Sequence, residues 1–301
     1  MAELLTRRSL VAGSALAPLL TLPACAPSDP IRAAMNRIRR QARPKIAPGP
    51  QDWLAQHKEP GQTFAQFRQQ VPKPAIETWS TLRLVPIGPV TPGQQAVLAA
   101  VRDLLPAFFG LALAQDDVVP LDGIPADAQR LLLPWEERQL LTPYLLNDVL
   151  MRRRRPTDAA VLGITAVDLW PGEGWNFVFG QASLKDRVGV WSMARSGDPD
   201  ESAESRRLCT LRTAKTAMHE TGHMFGIRHC IAYECGMNGS NHSGERDRQP
   251  LEFCPECQAK LWWTLKIDPV KRSRELASVA HKHALTAEAE GFARQAKSLA
   301  T

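Results

Sequence analysis

The chain has 301 residues, enough for one large domain or two small ones. Hydrophobic residues make up 44% and charged residues 23%, the ordinary balance of a soluble globular protein that buries a real core. The net charge of +6 is mild, and the one dense basic run, Arg152 to Arg155, stops at Pro156 without interleaved aromatics, which argues against a nucleic-acid-binding module.

Residues 1–25 read as an export signal. Arg7 and Arg8 in TRRSLV form a twin-arginine pattern ahead of an uncharged apolar stretch, Leu10 to Leu22, too short to stay in a bilayer as a spanning helix. Leu22-Pro23-Ala24-Cys25 then resembles a lipoprotein box in which Cys25 becomes the acylated first residue. Pro23 is unusual in such a box, and Ala24-Cys25-Ala26 serves equally as a small-residue cut site that releases a soluble chain. Both readings put the mature chain outside the cytoplasm, periplasmic or lipid-anchored to a membrane. A retained N-terminus on a cytoplasmic chain is the alternative.

Residues 26–75, rich in Pro, Gln and Arg, read as a linker or loosely packed extension. A folded domain is expected over 76–268. Trp79 to Val85 alternates as a half-buried strand does, and Gln94 to Phe108 carries Val97, Val101, Leu104, Leu105 and Phe108 at helical spacing. Leu111 to Leu113 is a second strand candidate, and Glu137 to Arg153 a second helix with Leu140, Leu141, Leu145, Val149 and Leu150 on its apolar side. Ala159 to Leu169 is a continuous apolar run suited to an interior strand. Asn176 to Ala182 and Val188 to Ala194 flank a polar turn at Lys185-Asp186. A charged loop, Gly197 to Arg207, leads into a histidine-bearing helix. After it come a helix over Gln258 to Ile267, ended by Pro269, and a C-terminal part, 269–301, with one charged helix (Ser273 to Ala287) and a fraying tail. Strands alternating with helices imply a mixed α/β sheet.

The segment HETGHMFGIRH, His219 to His229, carries the clearest chemistry. His219 and His223 are four apart, so on a helix both project from one face and reach a single zinc ion. Glu220 is rotated off the metal yet stays near a water activated there, the place of a general base. A third ligand six residues after the second requires the chain to turn sharply, and Gly226 permits the left-handed conformation of such a turn, so His229 returns to the metal. Three imidazoles leave zinc one open position, the mark of a catalytic site. The full HExxHxxGxxH pattern fixes five positions and is far more specific than HExxH alone.

Six cysteines in an exported chain would suggest disulfides, but their spacing points elsewhere. Cys254-Pro-Glu-Cys257 is a C-x-x-C knuckle, and Cys230 and Cys235 follow directly on the histidines, the arrangement of a four-thiolate structural zinc site. Twin-arginine export carries folded proteins, so such a site can be loaded before transport. Cys209 reads as a small buried hydrophobe and Tyr233 as structural; His242 reads as solvated, and His57, His281 and His283 as surface residues.

HETGHMFGIRHC, with Cys235, Met237, MNGSN and CPECQAKL, resembles the archaemetzincins, metzincin peptidases that couple a three-histidine zinc site to an adjoining four-cysteine one. More loosely, LGITAVDLW and FVFGQASL fit the same family, and the likeness spans roughly Trp79 to Leu285. The resemblance implies a metzincin-like mixed twisted sheet with an antiparallel edge strand, an active-site helix, a second zinc site and C-terminal helices. It implies two zinc ions: one on His219, His223 and His229 with Glu220 as general base, the other on Cys230, Cys235, Cys254 and Cys257. It makes Met237 the methionine of the turn beneath the first, an apolar floor and not a ligand. It also implies peptide or protein substrates laid along an edge strand, for which Asn176 to Ala182 is the candidate, and action of aminopeptidase type.

Two departures stand out. The export signal and the 26–75 extension are not expected of mostly cytosolic relatives, and Asn238 and Gly239 occupy the positions where some metzincins carry an oxyanion-stabilising tyrosine. The rival to an enzyme is a catalytically silent, zinc-stabilised peptide-binding protein, against which the intact Glu220 argues.

Overall fold

The computed structural model describes residues 29–70, 78–132 and 136–301. The export-signal residues, Cys25 included, lie outside them. Eight strands are described: β1 (Thr81–Ile87), β2 (Ala112–Gln115), β3 (Gln129–Leu132), β4 (Glu137–Leu141), β5 (Asp158–Thr165), β6 (Asp168–Trp170), β7 (Gly180–Ser183) and β8 (Val188–Ser192). Five pair in the order β2-β1-β5-β8-β7, and β3-β4-β6 form a second, smaller sheet. Within the main sheet β2, β1, β5 and β8 are parallel, and β7 alone runs antiparallel, at the edge. The mixed α/β class with an antiparallel edge strand is therefore observed.

Burial explains the strand sequences. All eight residues of β5 are buried, as a parallel strand covered on both faces requires. One face is covered by α4 (Pro92–Phe109) and α6 (Ala203–Met224), which contribute Val101, Leu104, Phe108, Ala214 and Met218 to the largest core cluster. On α4 a Thr91–Gln94 capping box and Pro92 fix the start, and Gly110 at φ 63° ends it. Leu140, Leu145, Val149 and Leu150 belong to a second cluster with Val161 and Val190.

Three expectations are corrected. The helix expected over Glu137 to Arg153 begins as strand β4, and helix starts only at α5 (Thr142–Tyr144), continuing as a π-helical turn over Leu145–Leu150. Pro143 gives the reason: inside a longer helix its ring would clash with the carbonyl four residues back, whereas in a first turn it is accepted. Pro269 does not end a helix but begins one. α8 (Pro255–Leu265) stops at the left-handed Lys266 (φ 50°), and Asp268 caps α9 (Pro269–Lys282). The C-terminus does not fray: α10 (Thr286–Ala300) packs back on α9 and buries Phe292, Ala296 and Leu299.

The largest correction concerns the N-terminal extension. Its described part, 29–70, forms α1 (Pro30–Ile38), α2 (Trp53–Gln56) and α3 (Phe64–Gln70), and buries Met35, Ile38, Phe64 and Phe67. Ala34, Met35 and Ile38 share a cluster with Trp262 and Leu299 of the C-terminal helices. Those apolar residues are few and widely spaced in a polar stretch, yet they find partners across the whole chain length. Among the described residues no helix is long and apolar enough to cross a membrane.

Candidate metal centres and active-site cleft

α6 carries His219, Glu220 and His223 in its last turns. The helix closes with a Schellman motif: Ile227 N–H donates to the Gly222 carbonyl (3.2 Å) and Gly226 N–H to that of His223 (2.8 Å), with Gly226 at φ 81°. The sequence-based expectation of a glycine turn after the helix is met, and the chain returns His229 to the first two histidines. The ring centroids of His219 lie 4.5 Å from those of His223 and 5.1 Å from those of His229.

The outer nitrogens show how the rings are aimed. His219 Nδ1 meets the Gly236 carbonyl at 2.9 Å, His223 Nδ1 the Ile227 carbonyl at 2.7 Å, and His229 Nδ1 the Glu59 carboxylate at 2.7 Å. An acceptor at Nδ1 fixes the proton there and leaves each Nε2 with its lone pair free. The nitrogens of the three rings group within 4.8 Å of one another, and His219 Nε2 sits 3.0 Å from His223 Nε2. Burial, then His223 and His229 beside it, drives the pKa of His219 well below its ordinary value; burial, then His229, takes His223 down to about 4. Neutral imidazoles with convergent lone pairs are the donor set zinc takes.

Glu220 is buried, its side chain against Gly180 of β7, where an added Cβ would come within 2.8 Å of Glu220 Cγ. Burial pushes its carboxyl up to about 8. Met237, fully buried, lies beneath the helix at Gly222, where a Cβ would meet its sulfur at 2.5 Å. Asn238 is a clamp and not an oxyanion donor: its amide donates to the carbonyls of Cys230 (2.6 Å) and Tyr233 (2.9 Å) and accepts from Cys235 N–H (3.0 Å). Gly239 lies under the Trp53 ring.

Cys230, Cys235, Cys254 and Cys257 are all buried with their sulfurs within 4.8 Å of one another. Cys235 Sγ accepts from the N–H groups of Cys254 (3.1 Å) and Met237 (3.4 Å). Such donors favour thiolates, and the set fits a tetrahedral zinc ion. Cys209 is buried apart from this cluster, as a small hydrophobe.

Two residues of the site escaped the sequence reading. Glu59, besides meeting His229, accepts from Trp53 Nε1–H (3.0 Å), and the Trp53 ring stands edge-on to His229 at 5.2 Å. His57, expected at the surface, stacks on Trp53 at 3.9 Å. Trp53 N–H is held in turn by Glu245 (3.0 Å), while Asp52 binds Arg248 (2.7 Å) and His242 (3.1 Å). His242 is therefore an anchor and N-cap of α7 (Ser243–Arg248), not a merely solvated residue. Asp52, His242 and Glu245 also group within metal-ligand reach, but Arg248 and backbone N–H groups already satisfy both carboxylates. No sequence signal marks Glu59, because its partner lies 170 residues away.

A cleft of about 610 Å³ opens over the histidines between β7 and α6, lined by Glu220 and all three histidines, with Trp53 at its rim. The order of β7 in the sheet makes it the free edge facing this cleft, although regular strand begins at Gly180, four residues after the expected start.

A model of peptidase family M54 matches residues 144–262. Archaemetzincin-2 of Pongo abelii is 33% identical over 261 residues, covering 75% of this chain and 71% of its own. The chain belongs to the archaemetzincin family. The archaemetzincin of Pyrococcus abyssi is 34% identical over 183 residues, 59% of this chain and 92% of its own. Among solved structures, the archaemetzincin of Methanopyrus kandleri aligns with a TM-score of 0.49 at 30% identity, over 63% of this chain and 97% of that one. The protein is accordingly a zinc-dependent metallopeptidase, a hydrolase of peptide bonds.

Proposed function

We propose that His219, His223 and His229 hold a catalytic zinc ion, that Glu220 is the general base and acid of hydrolysis, and that Cys230, Cys235, Cys254 and Cys257 hold a second, structural zinc. The observation that carries this reading is the locking of all three Nδ1 atoms onto oxygen acceptors, which turns the three Nε2 lone pairs to one point. Zinc bound there supplies a Lewis acid that activates a water near neutral pH and polarises the substrate carbonyl.

The protein's own residues do the rest. Glu220, beside that point and shielded by Gly180, takes the proton of the attacking water and passes it to the leaving amine. The free edge of β7 supports an extended peptide by strand addition, which holds the scissile carbonyl in register above the histidines. Met237 closes the floor beneath Gly222 with apolar bulk. Among the described residues Glu220 is the lone carboxylate lining the cleft.

Metal analysis of the purified chain should find two zinc ions. Glu220→Gln should keep both while peptide hydrolysis falls by about 10²–10⁴-fold, the usual worth of a positioned proton carrier. Equal activity of wild type and variant across a peptide library rules out this role for Glu220. The twin-arginine pattern and Cys25 support export of the chain, with or without lipidation; mass spectrometry of the mature N-terminus distinguishes an acylated Cys25, a simple cut and a retained Met1.

A further inference from the structure

We propose that Arg246 makes this cleft selective for peptides bearing a carboxylate close to the scissile bond, an inference that rests on the peptidase reading of the histidine cluster. Arg246 lines the cleft from α7 and is only 3% exposed, its guanidinium lying 4.0 Å over the Phe179 ring. Nη1 donates to Thr216 Oγ1 (3.4 Å) and Nη2 to the Arg195 carbonyl (3.1 Å), while Nε–H is buried without an acceptor. Among the described residues no carboxylate lies within salt-bridge distance of it. Its neighbour Asp247 attracts it only from beyond salt-bridge distance and is bonded to Arg212, whose Nε donates at 2.8 Å.

Lys215, also buried and cleft-lining, donates to the carbonyls of Arg246 (3.3 Å) and Asp247 (3.1 Å). Asp247 and Glu288 attract it only from beyond hydrogen-bond distance. Among the described residues, the wall therefore carries two buried cations with no carboxylate in hydrogen-bond reach of either.

Burying a charge without a counter-charge is costly, and proteins usually avoid it. Arg83 and Arg272, equally buried here, are each paired with a carboxylate, Asp158 and Glu252. Arg187, the other buried arginine without one among the described residues, donates to two carbonyls and lies on Trp79, away from the cleft. What sets Arg246 apart is its place. Its partner Thr216 precedes His219 by three residues on α6, roughly 4.5 Å along the helix axis. Its stacking partner Phe179 directly precedes Gly180, which packs on Glu220. An extended peptide advances about 3.4 Å per residue, so a side chain one or two residues from the cleaved bond reaches the guanidinium.

A carboxylate completes this wall: it accepts charge-assisted bonds from the planar guanidinium in a place water scarcely reaches. A lysine or arginine side chain would meet Arg246 and Lys215 with its own positive charge. The carboxylate belongs to an Asp or Glu side chain or to the substrate's C-terminus.

The test uses the zinc-loaded full chain and matched peptides with Glu, Gln or Lys at successive positions around the bond, each with a free or an amidated C-terminus. At one position kcat/KM for Glu should exceed that for Gln by about tenfold or more, with Lys poorest. Arg246→Met should bring the Glu-to-Gln ratio close to one, and Arg246→Lys should retain part of the preference. Melting curves and zinc content establish that both variants are folded. A Glu-over-Gln preference in amidated peptides assigns the side-chain carboxylate, a free-over-amidated preference of similar size with Glu and Gln alike assigns the chain end, and both sustain the proposal. Wild-type Glu-to-Gln and free-to-amidated ratios both near one, or a preference that survives Arg246→Met, overturn it and leave the peptidase reading intact. If no peptide is cut, calorimetry with the Glu and Gln peptides decides. Binding selective for Glu or for a free terminus that needs Arg246 keeps the site and removes the hydrolytic reading; unselective binding removes the site.

Discussion

The two candidate metal centres are built from neighbouring residues and differ in one respect, access. The three histidines are half-buried and open onto the cleft, whereas the four cysteines are buried and none lines it. An open three-ligand site leaves room for chemistry, and a closed four-ligand site is left with a structural task. The closed centre nevertheless serves the open one. Cys230 follows His229 directly, and Cys235 precedes Gly236, whose carbonyl aims His219. Holding the thiolates together holds the loop that carries the third histidine, the acceptor for the first and Met237 beneath both.

Removing the closed centre is therefore the most damaging way to probe this division. Cys254→Ala with Cys257→Ala should cost the fold itself, because a structural zinc contributes on the order of 10 kcal/mol to folding. Circular-dichroism melts and zinc content read the outcome; a fully folded variant with one zinc and unchanged hydrolysis would break the comparison. A smaller and more local effect is expected from Glu59→Gln, which keeps the shape but weakens the acceptor at His229 Nδ1. Affinity at the histidine site should drop about 10–100-fold, with the thiolate zinc retained. Chelator competition measures this, and identical zinc loss from wild type and variant would remove Glu59 from the site.

The motif region was legible in the sequence because its rules are local. Two histidines one helical turn apart, a glycine where the helix must stop and a C-x-x-C knuckle depend on spacing alone, and the structure brings those residues together as expected. β4 was misread although Pro143 stood in the sequence as a warning, since Leu140 and Leu141 fit helical and strand periodicities equally over so short a run. The N-terminal extension and the C-terminal helix were misread for another reason. Each looks too polar to form a core alone; the extension buries Ala34, Met35 and Ile38 against Trp262 and Leu299, and α10 packs on α9.

By itself, then, the amino-acid sequence determined which residues are the candidate metal ligands, the helix that bears the first two and the turn that brings back the third. Tertiary structure alone decided what surrounds them. It brought Glu59 across 170 residues to His229, and set Arg246 on the cleft wall with no carboxylate in salt-bridge reach among the described residues. Ligand spacing is written along one or two helical turns, but a hydrogen-bond acceptor or an uncompensated charge exists only once distant segments have packed.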